Sequence, residues 1–280
     1  MLSYRHAYHA GNFADVMKHA VLLPLLGYLT QKAAPLCYID THAGAGSYDL
    51  RSEHAEKTRE YRYGIEVLWS DRSLPDPLQS FVDVVRTFNR GGALRYYPGS
   101  AVIAQQLLRR QDRLELCEMH TSDFALLESA FRGDRRVHCH QGDGFRIGLG
   151  KLPPIEKRGL VFMDPSYELK EDHRRVFDAV EAMCRRFATG VYALWYPVID
   201  NRAVEALRHN FLESRLRNVL NLELVIEPDA RRPGMRGCGM VIVNPPWTLA
   251  EVAEPMLSVL AERLGRNGYG SFSIDQWVAE

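Results

Sequence analysis

Gly159-Leu160-Val161-Phe162-Met163-Asp164-Pro165-Ser166-Tyr167 is the stretch that decides how this chain folds. Leu160 to Met163 has no polar alternation, as expected of a strand buried on both faces of a parallel sheet. The run stops at Asp164 and is followed by Pro165, Ser166 and the ring of Tyr167. In open α/β sheets the carboxyl ends of strands are where ligands sit. A carboxylate, a proline-stiffened turn and an aromatic face would together clamp a planar base that carries an amino group. The same residues also suit an ordinary Asp-Pro turn, so the rest of the chain has to separate the two.

Upstream, Leu36 to Asp40 reads as another strand, and Thr41-His42-Ala43-Gly44-Ala45-Gly46 follows it. Strand, acid and small-residue loop open a Rossmann-like unit. Gly44 and Gly46 lead into Ser47, Tyr48 and Asp49, so the third glycine of a dinucleotide fingerprint is missing. A ligand without a pyrophosphate suits this loop better. S-adenosylmethionine is one: it needs close backbone approach and a polar or acidic partner for its ammonium group.

The totals set outer limits. The chain has 280 residues, 46% hydrophobic and 25% charged, enough for one large α/β domain with an insertion or for two domains. Its 35 basic and 35 acidic side chains cancel, so a nucleic-acid partner would have to be held by a local basic patch. Five cysteines without a C-x-x-C pair read as reduced thiols of a cytoplasmic protein. No signal peptide and no membrane-length apolar run is evident. The histidines lack a metal-binding spacing, so no metal is expected.

Residues 1–11, MLSYRHAYHAG, mix rings and cations of the kind that contact bases and phosphates. Asn12 is placed to cap a helix running to about Tyr28, with Asp15 in its first turn. Lys18 and His19 lie in that helix, where a solvated face is the simplest reading. From Arg51 to Tyr96 the strand–helix rhythm breaks. Helices near Tyr61–Trp69 and Pro77–Asn89 predict a small helical insertion at 51–96, within a main domain of 1–50 and 97–280. The alternation resumes with a helix capped at Ser100 and continues through strands Leu114–Glu118 and Val137–Gln141. After Asp164 it proceeds to two closing strands, Leu220–Ile226 and Met240–Val243.

Four predicted strand ends carry acids: Asp40, Glu118, Asp143 and Asp164. Parallel topology collects such ends along one edge, so four carboxylates are expected around one crevice. Glu118 is placed to accept from both hydroxyls of a ribose. Asp143 could accept from the cofactor's adenine amine, or equally cap the following helix.

With these residues in place the chain resembles S-adenosylmethionine-dependent N6-adenine methyltransferases, whose signature is [DNS]-P-P-[YFW]. More closely it resembles the bacterial RlmJ family, which methylates an adenine of 23S ribosomal RNA. The likeness runs through MLSYRHAYHAGNFADVMKH, DTHAGAGSY, LRYYPGS, GLVFMDPSYE, YALWYP and GMVIVNPPW. It implies a class I methyltransferase sheet, mostly parallel with the last strand antiparallel. It also implies cofactor contacts at Lys18, His19, His42, Ser100, Glu118, Asp143, Gly144 and Asp164. Asp164, Pro165 and Tyr167 would do the chemistry, and Tyr4 and His6 would move over the site when cofactor binds. The departure is Ser166, where the signature has a second proline; looser preorganisation of the turn is expected, not lost activity.

Asn244-Pro245-Pro246-Trp247 matches the signature better than the Asp164 turn does. It follows the antiparallel strand, so it should lie at the opposite edge of the sheet with a structural role. RNA contacts are expected from Arg231, Arg232 and Arg236, with Arg59, Arg62 and Arg86 as weaker candidates. The substrate would be 23S RNA, free or in an early assembly particle. Competing readings are a DNA adenine or protein glutamine methyltransferase, and a non-catalytic RNA-binding relative.

Overall fold

The computed structural model describes residues 5–167, 172–228 and 234–280, with the side chains of 172 and 173 also left undescribed. Eight strands make one sheet: β1 (Cys37–Asp40), β4 (Arg113–Glu118), β5 (Val137–Gln141), β6 (Gly159–Met163), β7 (Val191–Val198), β8 (Val219–Val225), β9 (Gly237–Val243) and β10 (Ser271–Val278). Two short strands, β2 (Ser47–Asp49) and β3 (Tyr96–Pro98), pair antiparallel in a separate ribbon. The large sheet runs in the order β10-β8-β9-β7-β6-β1-β4-β5. From β5 to β7 all neighbours are parallel, β9 lies antiparallel between β7 and β8, and β10 is antiparallel to β8. The order reverses beside β1, which is where such sheets open a ligand crevice. This is the class I methyltransferase arrangement with β10 added at one edge.

The central strands read as apolar runs because helices cover both faces. β6 is buried at all five positions and β7 at all eight. One face packs under α1 (Phe13–Thr30), α4 (Asp76–Thr87), α5 (Ser100–Leu107) and α10 (Leu249–Leu264). The other packs under α7 (Gly144–Gly150), α8 (Asp172–Arg186) and α9 (Asn201–Glu213). Helix α6 (Thr121–Ala130) joins β4 to β5. The predicted order stopped at β9, and α10 and β10 extend it. β10 mixes half-buried and exposed positions without alternation at a sheet edge, with one buried residue, Trp277, a far weaker sequence signal than the buried central strands.

Between residues 51 and 96 lie α2 (Glu53–Thr58), a short 3-10 turn (Glu60–Tyr63), α3 (Ile65–Trp69) and α4. The single helix predicted near Tyr61–Trp69 is broken at Gly64, where a Cβ would sit 2.1 Å from the Gly11 carbonyl oxygen. Ile65, Leu68, Leu78 and Phe81 are fully buried in the same core as α1. The β2–β3 ribbon draws together the two chain ends of this segment.

Candidate active site

A cleft of about 380 Å³ opens at the carboxyl ends of β1, β4 and β6. Its floor is an ion chain that starts in the first turns of α1. Asn12 caps that helix through the Asp15 N–H (2.9 Å). The Asp15 carboxylate, 1% exposed, accepts from the Gly11 N–H (2.7 Å) and lies 2.9 Å from His6 Nε2. Its other oxygen is 2.7 Å from Lys18 Nζ, and Lys18 donates in turn to Asp164. Burial alone would lower the ammonium's pKa, but Asp15 and Asp164 together outweigh it, and Lys18 is held above its ordinary value. Asp15 is likewise kept well below the usual carboxylate range: His6 and Lys18 overcome a large burial penalty. Lys18 also lies 5.6 Å from the centroid of the Trp195 ring.

The turn after β6 forms another wall of the cleft. Asp164, Pro165 and Tyr167 all line the cleft. Tyr167 has φ +50, uncommon for a bulky residue and a mark of a constrained site. Its hydroxyl donates to the Trp195 carbonyl (2.8 Å), and its ring meets Trp195 edge-on with centroids 5.9 Å apart.

The opposite side of the cleft is built on the loop after β1. Gly44 has φ +61, and a Cβ there would lie 2.2 Å from the Tyr48 hydroxyl. Gly144 is closer still: its Cβ would meet the Thr41 carbonyl at 1.7 Å. Both positions therefore present bare backbone. Glu118 accepts from the Gly44 N–H (2.9 Å) and the His120 N–H (2.7 Å), one bond per oxygen. A carboxylate has about four acceptor positions, so each oxygen keeps capacity for a hydroxyl. Burial pushes the Glu118 pKa up, against those backbone donors. An acceptor pinned this way, beside glycine backbone and the Phe145 ring, fits an adenosyl group with its diol on Glu118.

Asp40 departs from the expectation of four converging carboxylates. It is fully buried beneath the cleft, where it accepts from Tyr38 Oη (2.8 Å), Ser100 Oγ (2.7 Å) and the His42 N–H (3.1 Å). Burial raises its pKa to about 6 despite these donors. Glu118, Asp143 and Asp164 do face the crevice. Ser100 is the first helical residue of α5, not its cap; Gly99 takes that place, and the hydroxyl is committed to Asp40. Asp143 caps α7 through the Phe145 and Arg146 N–H groups, and its second oxygen pairs with Arg175 (2.6 Å).

Lys18 and His19, read from sequence as a solvated helix face, are 3% and 2% exposed yet reach the cleft wall. His19 Nδ1 is 2.8 Å from the Tyr97 hydroxyl, and burial lowers its pKa to about 3, so its ring is neutral. His42 stands edge-on to Phe145 at 4.9 Å, and His6 lines the mouth. Tyr4, Arg231 and Arg232 lie outside the described residues; Arg236 donates to Asn201. Sequence reasoning missed Asp15, Trp195 and Arg175 as parts of the site. Asp15 and Lys18 are three apart on one helix, the spacing of neighbours, but nothing local said that this face turns inward. Among the described residues no cluster of three His, Cys, Asp or Glu side chains could hold a metal ion. No helix among them is long and apolar enough to cross a membrane. All five cysteines are free thiols.

Asn244-Pro245-Pro246-Trp247 lies at the opposite edge of the sheet. Asn244 has φ +54, and its amide donates to the Ala188 (2.9 Å) and Gly190 (2.7 Å) carbonyls below β7.

Comparison with known proteins agrees with this geometry. Residues 33–279 match the family described as Ribosomal RNA large subunit methyltransferase D, RlmJ. The chain is 46% identical over 280 residues to Ribosomal RNA large subunit methyltransferase J of Escherichia coli, covering all of both chains. It is 43% identical to the protein of that name from Haemophilus influenzae, over 99% of each. A crystal structure of protein LPL1258 from Legionella pneumophila superposes with a TM-score of 0.89 at 39% identity, over 96% of this chain and 98% of that one. The chain belongs to the RlmJ family of ribosomal RNA large subunit methyltransferases.

Proposed function

We propose that this protein methylates N6 of an adenine in 23S ribosomal RNA with S-adenosylmethionine as donor, acting on free RNA or an early assembly particle. The observation that carries the reading is Asp164 held by buried Lys18 at the cleft floor, next to Pro165 and the Tyr167 ring. Adenine's N6 is a poor nucleophile because its lone pair is delocalised into the ring. The Asp164 carboxylate and the Pro165 carbonyl accept hydrogen bonds from its two N–H groups and draw the nitrogen toward tetrahedral geometry, while Tyr167 stacks on the base. The methyl moves from the sulfonium to N6, the donor leaves as the neutral thioether, and one N6 proton is released after transfer. Among the described residues Asp164 Oδ1 makes no hydrogen bond, so one oxygen is anchored by Lys18 and the other is open to the amine. When bound, S-adenosylmethionine supplies an electrophilic methyl group.

Orientation and fixed charge provide most of the rate in such a site. Glu118 takes the ribose hydroxyls, and Gly44 and Gly144 let the backbone approach. Lys18, His19, His42, Ser100 and Asp143 complete the cofactor side, Ser100 acting through Asp40. The target adenine must be unpaired or swung out of its stack to enter. Tyr4, His6, Arg231 and Arg232 contact RNA in this reading, and residues 51–96 are an insertion into the methyltransferase domain. Neither metal nor membrane enters the reaction.

The test is radiolabel transfer from the cofactor to stripped 23S RNA, DNA and release-factor protein in parallel. Label confined to adenine N6 of the RNA is the expected result. Label on DNA or protein moves the chain to another methyltransferase class, and cofactor binding without transfer to any RNA makes it a non-catalytic relative.

A further inference from the structure

The turn at Asn244-Pro245-Pro246-Trp247 fixes the chain below β7, but that role needs no exposed indole. Trp247 is nevertheless 80% exposed, whereas Trp195 and Trp277 are buried at 9% and 8%. It rims a second cleft of about 480 Å³ at the amino-terminal edge of the sheet, opposite the catalytic crevice. Lys32, Lys157 and Arg158 line the same cleft, with half-buried Tyr28. Among the described residues no acidic side chain lines it. Arg158 is anchored by donating to the Leu29 (2.6 Å) and Ala34 (2.7 Å) carbonyls at the end of α1. Lys32 and Lys157 are exposed and, among the described residues, form no ion pair. Lys157 sits in a turn at φ +53.

We propose that this cleft is a second RNA-binding site, in which an unpaired nucleotide stacks on Trp247 while Lys32 and Lys157 hold flanking phosphates. An exposed ring beside uncompensated cations is the pairing that single-stranded nucleic acid requires, since every base has a π-face and every linkage a negative charge. An acidic or purely apolar protein partner would use one half of this surface and leave the other idle. The inference rests on the reading of the chain as an RNA methyltransferase, and it adds where RNA beyond the target goes. β6 runs from this cleft at Gly159 to the catalytic turn after Met163, five residues or about 17 Å at the usual strand rise. An RNA that engages both edges must pass around the molecule, so only substrates longer than a minimal hairpin reach Trp247.

Two measurements on the full-length protein test this. Titration with oligouridylate, which offers no adenine to the catalytic crevice, should quench tryptophan fluorescence. Trp247→Phe should remove that quenching component. Lys32→Glu/Lys157→Glu should weaken the affinity at least about fivefold and flatten its salt dependence. Trp247→Ala should raise the ratio of KM for long ribosomal RNA to KM for a short target hairpin by at least about fivefold, the lower end for one stacked base. Circular dichroism melts check that each variant is folded. Quenching unaffected by Trp247→Phe, or an unchanged KM ratio in folded variants, overturns the second site. Failure to methylate either RNA would instead overturn the proposed function, while the fluorescence titration would still report on this cleft.

Discussion

Two turns in this molecule follow one pattern, an Asp or Asn, then proline, then an aromatic at the fourth place, and they lie at opposite edges of the sheet. Asp164-Pro165-Ser166-Tyr167 follows the parallel strand β6 and enters a crevice with Glu118 and Asp143. Asn244-Pro245-Pro246-Trp247 follows the antiparallel strand β9, and its side-chain amide caps carbonyls of a neighbouring loop. The second is the better match to the methyltransferase signature and the worse candidate for chemistry. What separates them is strand direction, because only parallel strands deliver their last residues to the edge where the other acids stand. A motif of four residues describes a turn; the topology decides what the turn faces.

That contrast can be broken most severely at Lys18. Lys18→Met leaves Asp15 and Asp164 without their shared cation, and breaking a buried pair in this way costs on the order of 3–5 kcal/mol. Chemical denaturation should show that loss, and methyl transfer should fall by about 100-fold or more as Asp164 loses its anchor. Stability and turnover unchanged in this variant would remove the ion chain from the account.

The two edges should also differ in their response to acid. The His19 ring is neutral because burial lowers its pKa to about 3 from an ordinary 6.5. Below pH 6.5 the unfolded chain therefore binds a proton that the native state refuses, and stability falls as pH drops. Between pH 6.5 and 4 this amounts to roughly 3 kcal/mol. His19→Gln should retain a partner for Tyr97 and flatten that part of the pH–stability curve. An equally steep curve in the variant would assign the acid sensitivity elsewhere.

At the opposite edge the expected effect is smaller and of another kind. Asn244→Ala removes two hydrogen bonds and a residue tolerant of φ +54, so about 1–2 kcal/mol of stability should go. The single-turnover rate should hold. A large rate loss in a well-folded variant would mean that the two edges communicate. The smallest change sharpens the active turn itself: Ser166→Pro restores the usual signature and should raise turnover a few-fold by stiffening the backbone at Pro165. No gain would mean that the turn is already rigid, as the constrained Tyr167 backbone would allow.

Much of this was legible in the residues. The buried runs of β1, β6 and β7 and the acids at strand ends are local signals, and parallel topology converts them into one edge. The cap of α1 was likewise visible in Asn12. The failures share a cause: they concern which way a side chain faces. Lys18 and His19 on a helix read as surface because charge is usually solvated, and only tertiary packing turns that helix face toward β6. Asp40 looked like a fourth crevice acid, yet it is fully buried and taken up by hydrogen bonds from Tyr38 and Ser100. The pairing of Asp143 with Arg175 joins residues 32 apart in sequence, and nothing near either one announces it. The alternation that ended at β9 missed β10 because an edge strand buries too little to print a pattern.

The claim on which the rest depends is that the Asp164 carboxylate accepts a hydrogen bond from the target amine and orients it, while the cofactor is held by other groups. The most direct measurement is single-turnover methylation of a 23S RNA fragment by Asp164→Ala, with cofactor affinity determined on the same preparation. The account predicts transfer reduced by about 1,000-fold or more, since an oriented charge at the reacting atom is lost, with affinity for S-adenosylmethionine within a few-fold of the unaltered protein. Substantial methylation by this variant, or a collapse of cofactor binding that by itself explains the lost activity, would contradict it.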